Sequence, residues 1–397
     1  MSKFLYYLFG NVLFVISSLF PKSLRIWVFG SWGGKAYADN PKYLFEYTTL
    51  HHHEIKCIWL TRDKDVRTHL RKEGYNAYYI NSLLGVFYCM RASVGVISHG
   101  LVDLNRYSCA RMKIVETWHG IPLKPVLLSD QKEEAKIKYK RSLQLRYVFP
   151  FLWKSIRYRS FLAIPSTSDY TTEILKKVFG KTAPIVKIGL PRLDAMLKPN
   201  MENEIAILIK NIRANGNNVG IYMPTYRREY EFDIVSELVK NINVIEKQSR
   251  NKGFVLFIKI HPFDFKKLPT NFKSNNVIFL LDSEINNDIY QILGLFDFLI
   301  TDYSSIIFDF LILSKPIYLL TPDRDAYIES NGEFVFDYRE LNLPVFNDWN
   351  SILEFYSNWI DDKTEDDLKR ISKQVHSYFD SKSSKRMVDL IMSKIMC

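Results

Sequence analysis

The chain has few cysteines and no arrangement of them that predicts a crosslink or a metal site. Its four cysteines among 397 residues show no C-x-x-C spacing, which is typical of reduced thiols and not of a disulfide framework. No acidic pair has metal-ligand spacing, and the three consecutive histidines 51–53 cannot all face one ion. We therefore expect no obligatory metal or cofactor, although a loosely bound divalent ion is compatible with the sequence.

The chain also lacks an apolar run long enough for an unambiguous membrane span. Phe4–Phe20 is uncharged over 17 residues, which is the short limit for crossing a bilayer. It lacks the cleavage site of a secretory signal, and Tyr7, Asn11 and Ser18 form a polar face. We expect residues 1–22 to be a membrane-associating helix that lies in the interface or docks on the protein, and a helix that spans the bilayer is the alternative that the sequence leaves open.

A nucleoside-triphosphate-binding loop is absent. The glycine-rich stretch FGSWGGKAY follows an apolar segment, but Lys35 is followed by Ala36. A phosphate-binding loop of that type needs Ser or Thr at this position. The sequence therefore excludes a nucleoside-triphosphatase of the P-loop class.

Positive charge is in excess and is concentrated in one segment. The formal net charge is +11, and residues 131–160 hold nine Lys or Arg, two Glu and six aromatic residues. This mixture suits an anionic lipid surface, and a groove for single-stranded nucleic acid would look similar. The apolar N-terminus favours lipid, so we expect an anionic membrane surface and no nucleic acid as partner. The residues assigned to the membrane are Lys136, Lys138, Lys140, Arg141, Trp153 and Arg157.

From residue 24 onward, short apolar runs alternate with longer amphipathic segments. The runs are too continuously apolar for a half-exposed sheet and predict parallel strands covered by helices on both faces. The predicted strands are 24–30, 55–60, 94–100, 112–120, 218–225, 254–262, 276–281, 296–301 and 315–320. The fold class is therefore α/β, with two Rossmann-like domains joined near 192–216.

Polar motifs follow four of these runs directly, at the carboxyl ends where open α/β sheets bind ligands. They are TWHG, PTYR, KIHP and TDYSS. His119 could act as a general base at neutral pH, and Lys259 and His261 would share one side of a strand. Either histidine could equally be bonded to a nearby carbonyl.

The motif TDYSS predicts an anion site at a helix start. Ser304 and Ser305 would offer hydroxyl and backbone N–H groups to a phosphate, although plain helix capping explains the same residues. Asp302 would position the ligand or contact a sugar hydroxyl, and the guanidinium of Arg227 suits a phosphate.

These motifs occur in an order that resembles a known family. TWHGIPLK, YMPTYR, KIHP and TDYSSIIFDF, with GSWGGKAYADNPKYLFEY, GLPRLD and DRDAYIESNGEFVFDY, are similar to the CDP-glycerol glycerophosphotransferases of teichoic-acid and capsular polymer synthesis. The likeness extends from about residue 25 to 345. It implies a GT-B-like fold, in which two Rossmann-like domains have parallel sheets that face a central cleft.

The resemblance also implies domain roles. Residues 23–195 would be the acceptor-side domain, 196–375 the CDP-glycerol-binding domain and 376–397 a C-terminal helix. The enzyme would move glycerol phosphate from CDP-glycerol to a hydroxyl of a lipid-linked acceptor, of polyprenyl-diphosphate or glycolipid type, and release CMP. It would work as a peripheral protein at the cytoplasmic face of the cell membrane.

Site residues follow from the same resemblance. His119 would be the catalytic base and His261 the second essential histidine. The donor-site residues would be Thr225, Arg227, Lys259, His261, Asp302, Ser304, Ser305, Asp323, Tyr327 and Gly332. The acceptor-side residues would be Ser31, Gly33, Lys35, His99, Gly120 and Lys124.

Alternative functions remain open at this stage. The same fold could use CDP-ribitol or a sugar nucleotide, and the basic and aromatic segment would also suit a membrane-docked binding protein without catalysis. The identity of the acceptor, the number of units added and the oligomeric state are not encoded in any motif.

Overall fold

A computed structural model describes residues 3–123, 161–227, 232–269, 272–285, 288–335, 338–356 and 362–396. The described chain forms two compact units. The first contains the described residues up to His119, residues 161–194, and those from Asp380 onward, whereas the second contains 120–123 and the described residues from Ala195 to Phe379. Each unit is built on one parallel sheet.

The strands of the first unit form a seven-stranded parallel sheet. They are β1 (Ser23–Phe29), β2 (Lys56–Thr61), β3 (Ala77–Tyr79), β4 (Ala92–Ile97), β5 (Lys113–Glu116), β6 (Phe161–Ser166) and β7 (Ile185–Lys187). Their order in the sheet is β3-β2-β1-β4-β5-β6-β7. The predictions for β1, β2, β4 and β5 are confirmed, whereas β3, β6 and β7 were not predicted.

The second unit repeats this arrangement with six strands. They are β8 (Asn218–Met223), β9 (Phe254–Ile258), β10 (Val277–Phe279), β11 (Phe298–Thr301), β12 (Ile317–Leu320) and β13 (Val345–Phe346). Their order is β10-β9-β8-β11-β12-β13. Each sheet therefore begins with the order of a doubly wound nucleotide-binding fold, which confirms the predicted α/β class with two parallel sheets.

Helices flank both sheets. In the first unit they are α1 (Lys3–Leu19), α2 (Asp39–His51), α3 (Lys64–Lys72), α4 (Leu83–Arg91) and α5 (Asp169–Phe179), and α6 (Pro191–Leu197) leads to the second unit. The helices that follow are α7 (Glu204–Ala214), α8 (Ile234–Asn251), α9 (Tyr290–Leu293), α10 (Ile306–Phe310), α11 (Arg324–Asn331), α12 (Trp349–Phe355), α13 (Asp362–Val375) and α14 (Ser383–Ile395).

Local sequence explains where several helices begin. Asp63 precedes α3, and its carboxylate accepts the N–H groups of Asp65 and Val66. Ser168 precedes α5 and forms a reciprocal capping box with Thr171. Such side chains satisfy backbone donors that have no partner within the helix, which favours a helix start at that residue.

The C-terminal helix α14 belongs to the first unit. Asp194 accepts hydrogen bonds from the backbone N–H groups of Ser383 and Ser384 at 2.9 and 2.7 Å. A carboxylate at a helix start is favoured by the exposed N–H groups and the helix dipole. The predicted boundaries therefore differ from the structure, because the chain returns to the first unit at Asp380 and residues 120–123 belong to the second.

The N-terminal helix α1 docks on the loop between β4 and β5. Ser17 Oγ donates to the carbonyl of Ser108 at 2.7 Å, and Gly10 faces the ring of Tyr107 so closely that a Cβ there would lie 2.6 Å from it. The sequence prediction for 1–22 included such docking. Within the described chain, no helix has both the length and the apolar character that a membrane span requires.

A buried ion pair joins the start of α2 to α6. Arg192 Nη1 donates to Asp39 Oδ1 at 2.9 Å, and the two side chains are only 1% and 4% exposed. The Asn40 side chain accepts from the Arg192 N–H at 3.1 Å and donates to the Trp118 carbonyl at 3.1 Å. This network fixes the backbone of the loop after β5.

Loss of this pair should destabilise the first unit strongly. Arg192→Met removes the cation and leaves the Asp39 carboxylate buried without its charge partner, which costs roughly 3–5 kcal/mol. Lys176→Met is the control, because it breaks an exposed pair with Glu173 that contributes about 1 kcal/mol or less. Urea unfolding monitored by circular dichroism should show a large shift for the first variant only, and equal midpoints for both would contradict the assignment.

Candidate active site

In each sheet the strand order reverses at one point along the carboxyl edge. In the first sheet this point lies between β1 and β4, and in the second between β8 and β11. Ligands of open α/β sheets bind at such points. The candidate residues His99, Thr225 and Asp302 follow β4, β8 and β11.

At the first edge, two histidines and two tryptophans form a stack of rings. The rings of His99 and His119 are 4.0 Å apart between centroids, with 13° between their planes. Trp32 packs against His99 at 4.3 Å, and Trp118 packs against His119 at 4.3 Å. The topology brings these rings together because they follow β1, β4 and β5.

The orientation of His119 leaves one ring nitrogen available. Its Nδ1 lies 3.1 Å from the carbonyl oxygen of Ser98. A carbonyl only accepts, so the neutral ring carries its proton on Nδ1 and its lone pair on Nε2. Burial lowers the pKa of His119 below its ordinary value, which keeps the ring neutral at pH 7. This geometry suits a general base.

His99 supports this arrangement as a second neutral ring. Its Nδ1 lies 2.9 Å from Ser98 Oγ. Burial, and then the neighbouring His119, lower the pKa of His99 to about 3. The stack therefore carries no positive charge at neutral pH and can gain one when His119 accepts a proton.

Two buried carboxylates hold the loops around the stack. Asp103 accepts the N–H groups of Gly33, Ser98 and His99 at 2.6–2.8 Å. Burial raises the pKa of Asp103 to about 6, although these N–H donors act in the opposite direction. Asp103 thus ties the loop after β1 to the loop after β4. No motif marks Asp103 in the sequence, because its partner Gly33 lies 70 residues away.

Glu116, at the end of β5, acts in the same way. Its two carboxylate oxygens accept the N–H groups of Trp118 and Gly100, both at 3.0 Å. Burial raises the pKa of Glu116 well above its usual range. This side chain joins the loop after β5 to the loop after β4 and was also missed by the sequence analysis.

The backbone around the stack is strained. Trp32, Asp39 and Trp118 have φ values of 51°, 65° and 54°, in the left-handed region that side chains with a Cβ disfavour. Such conformations persist only where surrounding contacts impose them, and they cluster at functional sites. Asn40, which binds the Trp118 carbonyl, supplies one such contact.

The other predicted acceptor-side residues of the first unit have varied environments. Ser31 is buried, and its hydroxyl donates to the carbonyl of Ala36 at 2.8 Å. Gly33 has φ of 66° and donates its N–H to Asp103. Lys35 is exposed. Ser31 therefore has a structural role, whereas Lys35 is accessible to an anion.

The remaining acceptor-side and membrane predictions concern residues after His119. Gly120 is buried and has φ of 151°. Lys124 lies outside the described residues, within 124–160. So do all the residues assigned to the membrane, namely Lys136, Lys138, Lys140, Arg141, Trp153 and Arg157.

At the second edge, Arg227 is buried between two carboxylates. Its Nη1 donates to Asp302 Oδ2 at 2.7 Å, and its Nε donates to Asp323 Oδ2 at 2.9 Å. Asp302 also accepts the Thr225 N–H at 2.8 Å. Arg227 is therefore committed to a network that joins the loops after β8, β11 and β12. The structure gives Arg227 and Asp302 this organising role in place of exposed positions for direct phosphate or sugar contact.

Aromatic rings enclose the same guanidinium. Arg227 lies 5.5 Å from the ring centroid of Tyr303 and 5.4 Å from that of Tyr327, and these two rings stack at 4.1 Å. The Tyr303 hydroxyl donates to Asp323 at 3.0 Å. Cation–π contacts of this kind stabilise a desolvated cation.

The predicted loop of residues 323–332 is partly structural. Tyr327 is 1% exposed and packs against Tyr303 within the network. Gly332 ends α11 with φ of 83°, and its N–H donates to the Ile328 carbonyl. A glycine suits this left-handed end position because it lacks a Cβ.

Two cationic or titratable side chains at this edge are more accessible. Lys259 follows β9 and pairs with Asp282 at 2.6 Å, with 17% of its side chain exposed. His261 is partly buried and stacks on Tyr226 with ring centroids 4.1 Å apart. Because they follow the strand next to β8, they share the edge with the Arg227 network.

Ser304 and Ser305 precede α10, as predicted. Both are partly exposed, and Ser305 makes no capping hydrogen bond through its side chain. Ser304 Oγ accepts the Ile306 N–H at 3.4 Å. α10 has only five residues, so its dipole is weaker than that of a longer helix. The hydroxyl groups of Ser304 and Ser305 are therefore better candidates than the helix dipole for binding an anion.

No group of three or more His, Cys, Asp or Glu side chains in the described ranges is arranged to hold an ion. At the second edge, the carboxylates of Asp302 and Asp323 bind Arg227, and that of Asp282 binds Lys259.

Comparison with known proteins shows what the chain is similar to. Residues 12–393 match the family described as CDP-glycerol:poly(glycerophosphate) glycerophosphotransferase. A teichoic acid poly(glycerol phosphate) polymerase of Bacillus spizizenii is 25% identical over 394 residues, which cover 96% of this chain and 95% of the relative. A teichoic acid glycerol-phosphate transferase of Staphylococcus aureus is 26% identical over 89% of this chain and 86% of its own length.

Other relatives are longer, and solved structures agree on the fold. The polymerase of Bacillus subtilis is 27% identical, and the match spans 83% of this chain but 43% of that protein. The wall teichoic acid polymerase TagF has a TM-score of 0.74 at 22% identity, covering 99% of this chain and 95% of the solved chain. At this identity the likeness supports the GT-B-like fold alone. On the family match, the chain belongs to the CDP-glycerol:poly(glycerophosphate) glycerophosphotransferase family and is a transferase.

Proposed function

We propose that the protein transfers glycerol phosphate from CDP-glycerol to a hydroxyl of a lipid-linked saccharide or polyol-phosphate acceptor, with release of CMP. The family match and the names of the relatives support teichoic-acid-type polymer synthesis. The single observation that carries the proposal is the neutral His119, whose Nδ1 is bound to a carbonyl and whose Nε2 is left to accept a proton.

The reaction needs a base for the acceptor and positive charge for the donor. The acceptor hydroxyl oxygen attacks the β-phosphorus of CDP-glycerol, and His119 Nε2 takes the hydroxyl proton. The bond between the β-phosphorus and the oxygen of the cytidine monophosphate breaks, and CMP leaves with that electron pair. Phosphoryl transfer of this kind depends mainly on positioning and charge stabilisation.

The second unit supplies the donor contacts in this proposal. Lys259 and His261 approach the diphosphate, and the hydroxyls of Ser304 and Ser305 donate to its oxygens. Arg227, Asp302 and Asp323 act indirectly, because their network holds the loop residue Thr225 and the start of α11 in place. No step requires a metal ion, although a divalent ion could accompany the diphosphate.

The acceptor and the location belong to the same proposal. A lipid-linked acceptor would be met at the cytoplasmic face of the membrane, where CDP-glycerol is available, and the basic and aromatic composition of 131–160 supports a peripheral association. The test is to incubate the full chain with CDP-glycerol, CDP-ribitol or a sugar nucleotide and a short lipid-linked acceptor. CMP release and an acceptor heavier by one glycerol phosphate support the proposal, whereas transfer only from a sugar nucleotide refutes it.

Replacement of His119 should remove the base while preserving donor binding. His119→Asn is expected to lower kcat by about 10²–10⁴-fold, the usual contribution of general base catalysis. His69→Asn is the matched control, because His69 is an exposed histidine of α3. Steady-state CMP release measures both, and near-normal turnover by the His119 variant would show that the base lies elsewhere.

The pH profile should carry the signature of a histidine with a lowered pKa. Since burial lowers the pKa of His119, the base is fully available at pH 7 and is lost as the pH falls through a value below about 6.5. The acidic limb of kcat/KM for the acceptor should therefore lie below pH 6.5. A limb centred above pH 7 would be incompatible with this base.

Arg227→Lys should impair the donor site although it keeps the charge. One ammonium cannot reproduce the bonds to both carboxylates, and each lost charged hydrogen bond costs roughly 1.5–3 kcal/mol. We expect KM for CDP-glycerol to rise on the order of tenfold or more. The control is Arg213→Lys. Arg213 belongs to α7 and forms a half-exposed ion pair with Asp297, which directly precedes β11. Equal kinetics for the two variants would argue against an organising role for Arg227.

A further inference from the structure

A second concave site lies in the first unit, at the opposite edge of the sheet from the histidines. It is a cleft of about 510 Å³ whose apolar wall includes Phe14 of α1 and Phe161 of β6. Lys113 and Phe161 begin β5 and β6, whereas His119 follows the end of β5. Because the strands are parallel, the cleft and the ring stack are at different ends and are separate sites.

Positive charge surrounds this cleft. Its lining includes Arg106, Arg111, Lys113 and Lys394, and none of its described lining residues is acidic. All four cationic side chains belong to exposed residues. A concave site of this size with apolar walls and convergent cations matches a ligand that has an anionic group attached to an apolar body.

The cleft borders an exposed apolar surface of α1. Gly10, Phe14 and Ser17, at spacings of four and three residues, face the protein and are buried. The opposite face exposes Phe9, Val12, Val15, Ile16 and Leu19, and Leu19 is 77% exposed. Arg111 links the two features, because it lines the cleft and its Nη1 donates to the Ser18 carbonyl at 3.1 Å. A helix that packs one face against the protein and exposes apolar side chains on the other is suited to lie in a membrane interface.

We infer that this cleft binds the headgroup of an anionic phospholipid while the exposed face of α1 enters the membrane interface. The phosphate would meet Arg106, Lys113 and Lys394, and the first part of an acyl chain would lie against Phe14 and Phe161. The charge decides the occupant, since an uncharged lipid offers the four cations no counter-charge and a zwitterionic headgroup brings a positive charge of its own beside its phosphate. Vesicle binding does not depend on the proposed transfer reaction and can be measured without it.

The test measures flotation of the full chain with vesicles of phosphatidylglycerol and of phosphatidylcholine. We expect strong preference for phosphatidylglycerol. Lys113→Gln with Lys394→Gln should weaken binding to phosphatidylglycerol on the order of tenfold or more, because each basic residue near an anionic surface contributes about 1 kcal/mol. Lys64→Gln with Lys72→Gln, on exposed positions of α3, makes the same charge change and should have little effect.

Further measurements distinguish lipid binding from the binding of other anions and from a loss of binding caused by misfolding. Inorganic phosphate at millimolar concentration should not displace the vesicles, and displacement would indicate a site for a free anion. Val12→Ser with Val15→Ser should also weaken flotation, because both residues are exposed on α1. Unchanged thermal unfolding checks that each variant is folded. Equal loss of binding in the Lys64 and Lys72 control would refute the cleft as the lipid site.

CMP release with a water-soluble acceptor distinguishes this inference from the proposed function. The Lys113 and Lys394 variant should retain that activity while losing vesicle binding. If the wild type releases no CMP yet binds phosphatidylglycerol through these lysines, the proposed function fails and the lipid site stands. If turnover is normal and the lysine variant binds vesicles as the wild type does, the lipid site fails alone.

Discussion

The second unit depends on one buried guanidinium. Arg227 binds Asp302 and Asp323, and so connects the loops that follow β8, β11 and β12. A buried charge that loses its partner costs several kcal/mol, so these loops have one favoured arrangement. The stacked rings of Tyr303 and Tyr327 cover the cation and exclude water from it. The accessible groups at this edge, Lys259 and His261, lie beside a rigid framework.

In the first unit, buried carboxyl groups hold the loops at the carboxyl edge of the sheet. Asp103 and Glu116 bind backbone N–H groups through buried carboxyl groups. Burial lowers the pKa of both His99 and His119, which keeps the two rings neutral at pH 7. A neutral imidazole can accept a proton, whereas a cationic edge can stabilise phosphate charge. The two properties are those that the proposed phosphoryl transfer requires.

The sequence predicted the parts of this fold that have strong local signals. The long apolar strands β1, β2, β4, β8 and β9 were found, whereas β3, β7, β10 and β13 have only two or three residues. A run that short has almost no periodicity to detect. Of these, β10 was found because the predicted run 276–281 is longer than the strand itself.

Contacts between residues that are far apart in the sequence were the second kind of feature that could not be predicted. Arg227 was predicted to be a donor-site residue, but its partners are 75 and 96 residues away, and a residue type does not reveal what it binds. The same reason explains why the bond of Asp103 to Gly33, 70 residues away, was missed and why Asp194 was not linked to α14, which lies 189 residues later. Motif order predicted which loops carry the candidate residues, and the fold shows which side chains each of them contacts.

The proposed function assigns donor binding to the edge of the second unit and the proton acceptor to the first. Hydrogen–deuterium exchange of the full chain, with and without CDP-glycerol, tests this assignment directly. We expect slower exchange in peptides that contain residues 225–227, 259–261 and 304–306, and no change around 98–100. Protection confined to the loops around His99 and His119 would contradict it.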